Sequence, residues 1–261
     1  MPNARQITCD VTQIIWPTPT VMQIRFRPSK PFTFKPGQFL SILVPPDKSK
    51  NHKKAVKRAY SFSSAPNAPE AERYELCVKY VKGGIGTEFL KSLKVGDTFK
   101  AMAPYGDFEY LLPKSGRSVC FISTGTGIAP FKSIVLSKEF AEHFPKSAYC
   151  LFGAPTKEEI IYPGLFESKG VKTVYALDLE KSAGHFFKGR VTDFLKALPR
   201  HWHWHSTDFY LCGNPMMVDD VVQFLKGAHG VDDSAIHRES FAAPTKKAEV
   251  TKSKILYKSA A

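Results

Sequence analysis

Short runs of alternating apolar and polar residues fill the first part of the chain and predict β-strands. Proline, glycine and lysine residues separate the runs, as expected for turns between strands. The runs lie at 6–15, 21–27, 39–44, 58–64 and 73–81. A tight turn at 94–97 leads into one further strand, which makes about six short strands in all. This arrangement predicts a closed or nearly closed antiparallel β-barrel over residues 1–112.

From residue 113 the pattern changes to apolar strands that alternate with helices. Strands are predicted at 118–123, 148–152, 172–177 and 208–212. Helices are predicted at 130–144, 162–168, 191–198 and 216–226. This alternation predicts a parallel sheet with helices on both faces over residues 113–245, so the predicted fold class is β + α/β. The lysine-rich segment 246–261 is predicted to be a basic, mobile tail.

Length and charge narrow the classes of protein to which the chain can belong. At 261 residues the chain exceeds one average domain, which supports the two-domain division. Its 37 basic and 24 acidic residues give a net charge of +13, which favours an acidic partner. Nucleic acid, an acidic protein and an anionic cofactor all satisfy that requirement, and a merely soluble basic surface is the alternative.

The cysteine pattern and the lack of long apolar runs indicate a reducing, cytoplasmic setting. The five cysteines are scattered, and no C-x-x-C or plant-ferredoxin spacing occurs. An internal iron–sulfur cluster or zinc finger is therefore not expected. No apolar run approaches the ~20 residues of a membrane span. Residues 1–5 also lack the apolar stretch of a secretory signal.

The run Arg58-Ala59-Tyr60-Ser61 is the first candidate binding motif. In a strand, Arg58 and Tyr60 point to one face, whereas Ala59 and Ser61 point to the other. A guanidinium binds a phosphate through two parallel hydrogen bonds, an aromatic ring stacks on a flat heterocycle, and a hydroxyl donates to a ring nitrogen. The motif therefore predicts a planar, anionic ligand. An ordinary strand with an exposed arginine is the alternative.

Two glycine-rich segments that open helices are further candidate anion sites. In the run 82–90, Thr87 is predicted to cap a helix, with Glu88 in its first turn. The run 124–130 follows an apolar strand, and Pro130 suits the first turn of the next helix. Free N–H groups and the helix dipole at such ends attract phosphate. Strand, glycine loop and helix together suit a dinucleotide pyrophosphate, although Pro130 replaces the third glycine of the Rossmann fingerprint.

Taken together, the R-x-Y-S run at 58–61 and the T-G-T-G-I-A-P loop at 124–130 resemble the ferredoxin–NADP reductase superfamily. The resemblance extends to 84–87, 153–162, 212–215 and 239–241 and covers roughly residues 5–241. It implies an N-terminal flavin-binding β-barrel and a C-terminal NAD(P)-binding domain. It also implies FAD rather than FMN as the cofactor, and NADH or NADPH as the substrate.

The resemblance implies roles for individual residues. Arg58 would hold the flavin pyrophosphate, Tyr60 would stack on the isoalloxazine, and Ser61 would bond near flavin N5. The other implied flavin contacts are Ala59, Val78, Lys79, Tyr80, Gly84, Gly86, Thr87 and Phe241. The implied dinucleotide contacts are Thr124, Gly125, Thr126, Gly127, Asp178, Cys212, Gly213, Asn214 and Pro215. Tyr60, Ser61, Cys212 and Glu239 are the implied catalytic residues.

The implied reaction is hydride transfer from nicotinamide to flavin, followed by electron transfer to a separate acceptor. An acidic ferredoxin, a flavodoxin or an oxygenase component would fit the basic surface. Asp178 and Glu180 stand where NADP-specific relatives place a Ser-Arg pair, which favours NADH. Lys157, Lys172 or Lys181 would compensate if NADPH were the substrate.

Two interpretations other than a flavoenzyme remain open from the sequence. A basic protein could bind nucleic acid or an acidic membrane surface, but the lysine-rich run 48–57 lacks the interleaved aromatic residues that favour nucleic acid. A flavin-binding relay or sensor subunit without turnover is the second. The run 201–205, His-Trp-His-Trp-His, is interpreted as a loop with aromatic packing, and no metal site is predicted.

Overall fold

Two six-stranded sheets, one antiparallel and one parallel, make up the described part of the chain. The structure is a computed structural model and describes residues 4–46, 53–69, 73–180 and 186–241. The predicted tail 246–261 and the candidate Lys181 therefore lie outside the described residues. The predicted domain boundary at 112/113 falls in the connection between the two sheets.

The first sheet is an antiparallel, curled sheet with one helix at its side. Its strands are β1 (Arg5–Thr18), β2 (Val21–Pro28), β3 (Phe39–Val44), β4 (Val56–Ser61), β5 (Glu75–Lys79) and β6 (Thr98–Tyr105), and helix α1 spans Ile85–Ser92. The order is β4-β3-β6-β1-β2-β5. The two edge strands approach each other just beyond β4, through a bridge between Phe62 and Leu76. The predicted antiparallel barrel is thus confirmed.

Alternation along these strands sends the apolar side chains into the barrel interior. Ile24, Leu40, Ile42 and Leu76 are fully buried there. Burial of each such side chain contributes roughly 1.5–3 kcal/mol of transfer free energy. Phe62, which follows the Arg58–Ser61 motif, stacks on an aromatic neighbour and anchors the end of that motif to the core. The candidate flavin residues therefore stand on a rigid strand.

The second sheet is parallel throughout. Its strands are β7 (Ser118–Thr124), β8 (Ala148–Ala154), β9 (Lys172–Leu177), β10 (Phe187–Lys188), β11 (Thr207–Gly213) and β12 (Ile236–Ser240). Its helices are α2 (Ile128–Val135), α3 (Lys138–Glu142), α4 (Val191–Ala197) and α5 (Pro215–His229). The strand order is β10-β9-β8-β7-β11-β12. From β7 the chain adds strands first on one side, up to β10, and then on the other side, with β11 and β12, so the topological switch point lies between β7 and β11. Ligands of open parallel sheets bind at the carboxyl ends of the strands beside such a reversal.

Two helix predictions were wrong. The single helix predicted at 130–144 is broken after Leu136, because the Ser137 side chain accepts a hydrogen bond from the Phe140 N–H and starts a second helix. The helix predicted at 162–168 does not form. Tyr162 and Gly164 have φ values of 58° and 75°, outside the right-handed helical region, and only a short 3₁₀ turn follows at Glu167–Lys169.

The two sheets share one hydrophobic core where they meet. Val21 and Cys77 of the barrel belong to the same buried cluster as Phe131 and Phe152 of the parallel-sheet domain. The barrel therefore presents a second apolar surface, in addition to its interior. Among the described residues, no helix combines the length and the apolarity needed to cross a membrane.

Candidate active site

The carboxyl ends of β7 and β11 meet in a tightly packed pair of loops. A Cβ placed on Gly127 would lie 2.2 Å from the Cys212 carbonyl oxygen, and one on Gly213 would lie 2.7 Å from Thr124 Oγ1. The Asn214 N–H donates to Thr124 Oγ1 at 3.2 Å. Gly125 has a φ of +53°. The structure therefore brings the predicted residues Thr124–Gly127 and Cys212–Asn214 together, and only glycine fits at Gly127.

Both loops lead directly into helices. Thr126 lies in the 3₁₀ turn Gly125–Gly127, from which α2 continues. Asn214 caps α5 by accepting from the Met216 N–H at 2.9 Å, and Pro215 occupies the first turn. Two helix N-termini therefore face the same crevice, and their N–H dipoles favour an anionic group there.

On the barrel, Arg58 and Tyr60 lie side by side against Gly86 in α1. A Cβ on Gly86 would meet the Tyr60 hydroxyl at 2.6 Å and Arg58 Cγ at 2.8 Å. Burial raises the pKa of Tyr60 to about 12, and the nearby Arg58 charge lowers it by less. The phenol is therefore neutral at physiological pH. Ala59, exposed, points to the other face of the strand, as predicted.

The N-terminus of α1 lies next to this pair. Gly84 is the N-cap, and no side chain caps the helix. The prediction that Thr87 caps it was wrong. Thr87 lies inside the first turn, where its hydroxyl donates to the Val81 carbonyl at 2.8 Å and so holds the loop that precedes the helix. Glu88 is in the first turn and accepts from the Gly83 N–H at 2.9 Å.

The end of β5 and the residue after it place the three predicted residues Val78, Lys79 and Tyr80 differently. Val78 is 1% exposed in the barrel core, so only its main chain can face a ligand. Lys79 is exposed. The Tyr80 hydroxyl donates to Glu88 Oε1 at 2.8 Å, and the ammonium group of Lys91 lies 4.2 Å from the Tyr80 ring centroid. Tyr80 is therefore held beside the start of α1.

A short chain of contacts joins the barrel strand to the nucleotide loops. Ser61 Oγ lies 3.5 Å from Glu239 Oε2, across the domain interface. In the β11–β12 ladder, Glu239 is the partner of Cys212, which in turn contacts Gly127. Phe241 follows β12, and its N–H donates to the Gly213 carbonyl at 2.9 Å. Three of the four predicted catalytic residues, Ser61, Cys212 and Glu239, therefore meet at the junction of the two domains. The fourth, Tyr60, lies against Gly86 on the barrel side.

Burial changes the protonation of this junction. It raises the pKa of the Glu239 carboxyl to about 7, and the hydroxyl of Ser61 lowers it by less. Burial and the Glu239 charge also raise the pKa of the Cys212 thiol well above its usual value. Cys212 is therefore a neutral thiol, whereas Glu239 gains and loses a proton near neutral pH.

A cleft of about 460 Å³ opens beside Glu239, between the barrel and β12. Its walls include Phe39, Asp107, Phe108, His237 and Arg238, none of which the sequence motifs identified. Phe39 is the register partner of Ser61, so its place follows from strand pairing. Neither the periodicity of the sequence nor the spacing of its motifs identifies Phe39, because it is 22 positions from Ser61 in the chain.

The end of β9 carries the predicted ribose contact. The Asp178 N–H donates to the Ala154 carbonyl at 3.4 Å, and Arg190 Nε lies 3.7 Å from Asp178 Oδ2. Lys172 lies at the opposite end of the same strand, over the Tyr149 ring. The Lys157 N–H donates to Glu180 at 3.2 Å. Arg190, which the sequence did not suggest, is therefore the cation paired with Asp178.

The histidine–tryptophan run lies at the amino end of β11, the end of the parallel sheet opposite the candidate site. It precedes β11, whose other end carries Cys212. Trp204 is 2% exposed and stacks on His229 with ring centroids 3.9 Å apart. Among the described residues, no group of three His, Cys, Asp or Glu side chains has the geometry to hold a metal. The run therefore packs as an aromatic loop.

Two family models match the chain in the order of its two sheets. The model described as "Oxidoreductase FAD-binding domain" matches residues 9–110, and "Oxidoreductase NAD-binding domain" matches residues 121–223. The chain is also 31% identical to ferredoxin–NADP reductase B of Sorangium cellulosum over 238 residues, which are 86% of this chain and 93% of that protein. The chain belongs to the ferredoxin–NADP reductase family.

Further relatives and solved structures agree with this membership. The chain is 28% identical over 217 residues to the toluate 1,2-dioxygenase electron transfer component of Pseudomonas putida, covering 80% of this chain and 59% of that protein. The FAD/NAD-binding domain of a nitric oxide dioxygenase from Vibrio cholerae superposes with a TM-score of 0.76 at 27% identity. That match covers 90% of this chain and 98% of the domain.

Members of this family are flavin-dependent oxidoreductases with FAD- and NAD(P)-binding domains, and this chain has both. The residues at the two sites also fit FAD and a nicotinamide dinucleotide. Gly86 lets Arg58 and Tyr60 pack directly against the start of α1, whose N-terminus no side chain caps. Gly127 and Gly213 let the loops after β7 and β11 approach closely, so main-chain groups form this part of the second site. Membership supports the flavoenzyme interpretation over a nucleic-acid-binding or membrane-surface protein.

Proposed function

We propose that this protein oxidises NAD(P)H with a bound FAD and passes the electrons to a separate electron-carrier protein, such as a ferredoxin, a flavodoxin or an oxygenase component. The observation that carries this proposal is the junction at which Ser61, Glu239 and Cys212 meet the Gly127 loop. At that junction a nicotinamide held by one domain would lie against a flavin held by the other. Such proximity supplies much of the rate of a hydride transfer.

The barrel is proposed to bind and orient FAD. Arg58 and the N-terminus of α1 hold the pyrophosphate, with Gly86 and Thr87 contributing main-chain N–H groups. The Gly84 N–H already donates to the Val81 carbonyl at 2.9 Å, so Gly84 contributes as the N-cap without a side chain. Tyr60 stacks on the isoalloxazine, and its neutral phenol keeps the site free of an added charge. The remaining proposed contacts are Ala59, Val78, Lys79, Tyr80 and Phe241, of which Val78 acts through its main chain.

The second domain is proposed to bind the dinucleotide across the β7–β11 crevice. Thr124–Gly127 and the start of α2 hold its pyrophosphate, and Cys212–Pro215 flank the nicotinamide. FAD supplies the chemistry that accepts a hydride and releases electrons singly. Ser61 donates a hydrogen bond at the reacting edge, and Glu239 holds or releases a proton there. Cys212 fills the space beside the nicotinamide as an uncharged thiol.

Asp178 and Glu180 are proposed to favour NADH. A carboxylate accepts hydrogen bonds from ribose hydroxyls and repels a 2′-phosphate. The exposed guanidinium of Arg190 beside Asp178 offsets part of that repulsion. The proposed preference is therefore moderate, since both charges act on the same position of the ribose.

A cytoplasmic location and an acidic redox partner complete the proposal. All five cysteines are free and buried, which suits a reducing compartment. The net charge of +13 steers an acidic protein towards the surface. The names of the relatives, ferredoxin–NADP reductase and dioxygenase electron transfer component, point to partners of this kind.

Purification followed by two assays tests the proposed function. The protein should be yellow, should release FAD rather than FMN on denaturation, and should bleach when NADH or NADPH is added without oxygen. A ferredoxin or an artificial one-electron acceptor should then restore the colour. A colourless protein that neither binds added flavin nor oxidises NAD(P)H would refute the proposal. Flavin that is bound but not reduced would instead indicate a relay or sensor subunit.

A further inference from the structure

A buried cluster of charges crosses the interface between the two domains. Glu75, in β5 of the barrel, is 2% exposed. Its Oε1 lies 2.6 Å from Nζ of Lys132 in α2, and its Oε2 lies 3.0 Å from Arg25 Nε. Lys132 is 8% exposed, so this ion pair is shielded from solvent. Its strength therefore depends on geometry far more than that of a surface pair does.

Neighbouring groups fix both ends of the pair. Ser63 Oγ donates to Glu75 Oε1 at 2.9 Å, and Nζ of Lys132 lies 4.3 Å from the centroid of the Tyr162 ring. The next residue of α2, Ser133, donates from Oγ to the Ser64 carbonyl at 2.6 Å. Ser133 is thus attached directly to the segment that continues β4, and Lys132 is attached to it through Glu75, which accepts from Ser63.

The position of this attachment connects the two halves of the proposed site. Ser63 lies two residues after Ser61, and Lys132 lies five residues after Gly127. Five residues of helix span about 7.5 Å, so the attachment controls where the Gly127 loop stands relative to Ser61. Neither Lys132 nor Glu75 belongs to the residues proposed to contact FAD or the dinucleotide. Their effect on the reaction would therefore be indirect.

We propose that the Glu75–Lys132 pair, with Ser133, is a positioning device that sets the distance between nicotinamide and flavin. Hydrogen bonds between charged groups are directional, so they fix the relative position of the two elements that they join. A misplacement of about 1 Å between reacting groups can lower a rate by about 100-fold. This inference rests on the proposed function, because it concerns the same hydride transfer.

Lys132→Met tests the device, since it removes the charge and keeps most of the side-chain volume. We expect the variant to retain FAD and to bind NAD(P)H with an unchanged Kd. Flavin reduction at saturating NAD(P)H should slow at least ten-fold, and the long-wavelength charge-transfer absorbance of the nicotinamide–flavin complex should weaken. Lys132→Arg, which keeps the charge, should recover part of the rate and of the absorbance.

Lys226→Met is the matched control, because Lys226 in α5 forms an exposed ion pair with Asp233 at 2.9 Å. It should change neither the reduction rate nor the absorbance. If Lys132→Met does not fold, Ser133→Ala removes the second attachment with a smaller change, and should slow reduction at least three-fold. A lower melting temperature with unchanged reduction rate and absorbance would overturn the inference. Failure of the wild-type protein to oxidise NAD(P)H would instead overturn the proposed function.

Discussion

Glu239 is the residue whose chemistry depends most on its surroundings. On an open strand its carboxyl would be ionised at neutral pH, but burial at the domain junction raises its pKa to about 7. The neighbouring Cys212 thiol stays protonated for the same physical reason. At the domain junction, the Glu239 carboxyl therefore titrates near physiological pH, whereas the Cys212 thiol does not.

The pKa of Glu239 predicts how stability depends on pH. Because the folded-state pKa lies above that of the unfolded chain, the folded protein holds the proton more tightly. The resulting stabilisation is complete below about pH 4.5 and is lost as the pH rises through about 7. Glu239→Gln should remove a decline on the order of 1 kcal/mol between pH 5 and pH 8, measured by urea unfolding. An equal decline in the variant would contradict this assignment.

Ser61 and Cys212 are predicted to act on the reaction rather than on flavin binding. Ser61→Ala removes the hydroxyl at the junction, and Cys212→Ala leaves a small gap in the buried cluster at the end of β11, next to the proposed nicotinamide position. Each variant should keep its FAD but show slower flavin reduction by NAD(P)H, measured by stopped-flow absorbance. Reduction at the wild-type rate would remove both residues from the catalytic set.

Asp178 and Arg190 are predicted to set the choice of dinucleotide in opposite directions. Asp178→Ala removes the carboxylate that repels a 2′-phosphate, so it should shift the ratio of kcat/KM towards NADPH by about 10-fold, or ~1.4 kcal/mol. Arg190→Ala should shift the same ratio towards NADH, because the exposed cation is lost. Steady-state kinetics with both nucleotides measures the ratios. Shifts of the same sign in the two variants would refute the pairing argument.

At the scale of elements, the site is made by loops that lie too close together for side chains. The ends of β7 and β11 approach until a Cβ on Gly127 would overlap the Cys212 carbonyl. Backbone in a parallel sheet cannot shift to relieve such an overlap without breaking the ladder between Cys212 and Glu239. In the proposed function, Gly127 therefore couples nucleotide binding to the position of the ends of β7 and β11.

Gly127→Ala tests this coupling. We expect at least a ten-fold loss of NAD(P)H affinity with FAD content unchanged, since the barrel is untouched, measured by titration of flavin fluorescence. The control is Gly227→Ala in α5, where nothing lies within 4 Å of the added Cβ. That change should leave affinity unaltered and stabilise the helix by roughly 0.5–1 kcal/mol. Equal effects of the two substitutions would argue against the steric mechanism.

For the whole molecule, charge should govern the encounter with the redox partner. A net charge of +13 attracts an acidic carrier over a distance that salt shortens. Raising the sodium chloride concentration from 50 to 300 mM should therefore lower kcat/KM for an acidic ferredoxin by about 10-fold. Turnover with an uncharged quinone is the control and should change little. Salt-independent reduction of the ferredoxin would show that steering by charge is not involved.

Periodicity identified most strands and both glycine loops because these are local features of the chain. Alternation placed Arg58 and Tyr60 on one strand face, and the motif order indicated the family. Local pattern failed where a hydrogen bond or a distant segment decided the backbone. Ser137 started a new helix inside one predicted helix, and Tyr162 adopted a positive φ inside another.

By itself, the sequence determined the order of the two sheets, the motifs proposed to bind flavin and dinucleotide, and the family. Only the tertiary structure decided which groups are buried between the domains. Glu75 occupies the polar face of an alternating strand, yet it is enclosed because a second domain covers that face. The tertiary structure also decided the pKa of Glu239, through its burial, and the pairing of Asp178 with Arg190, through their proximity. Burial and charge pairing depend on residues far apart in the chain, and no local period encodes them.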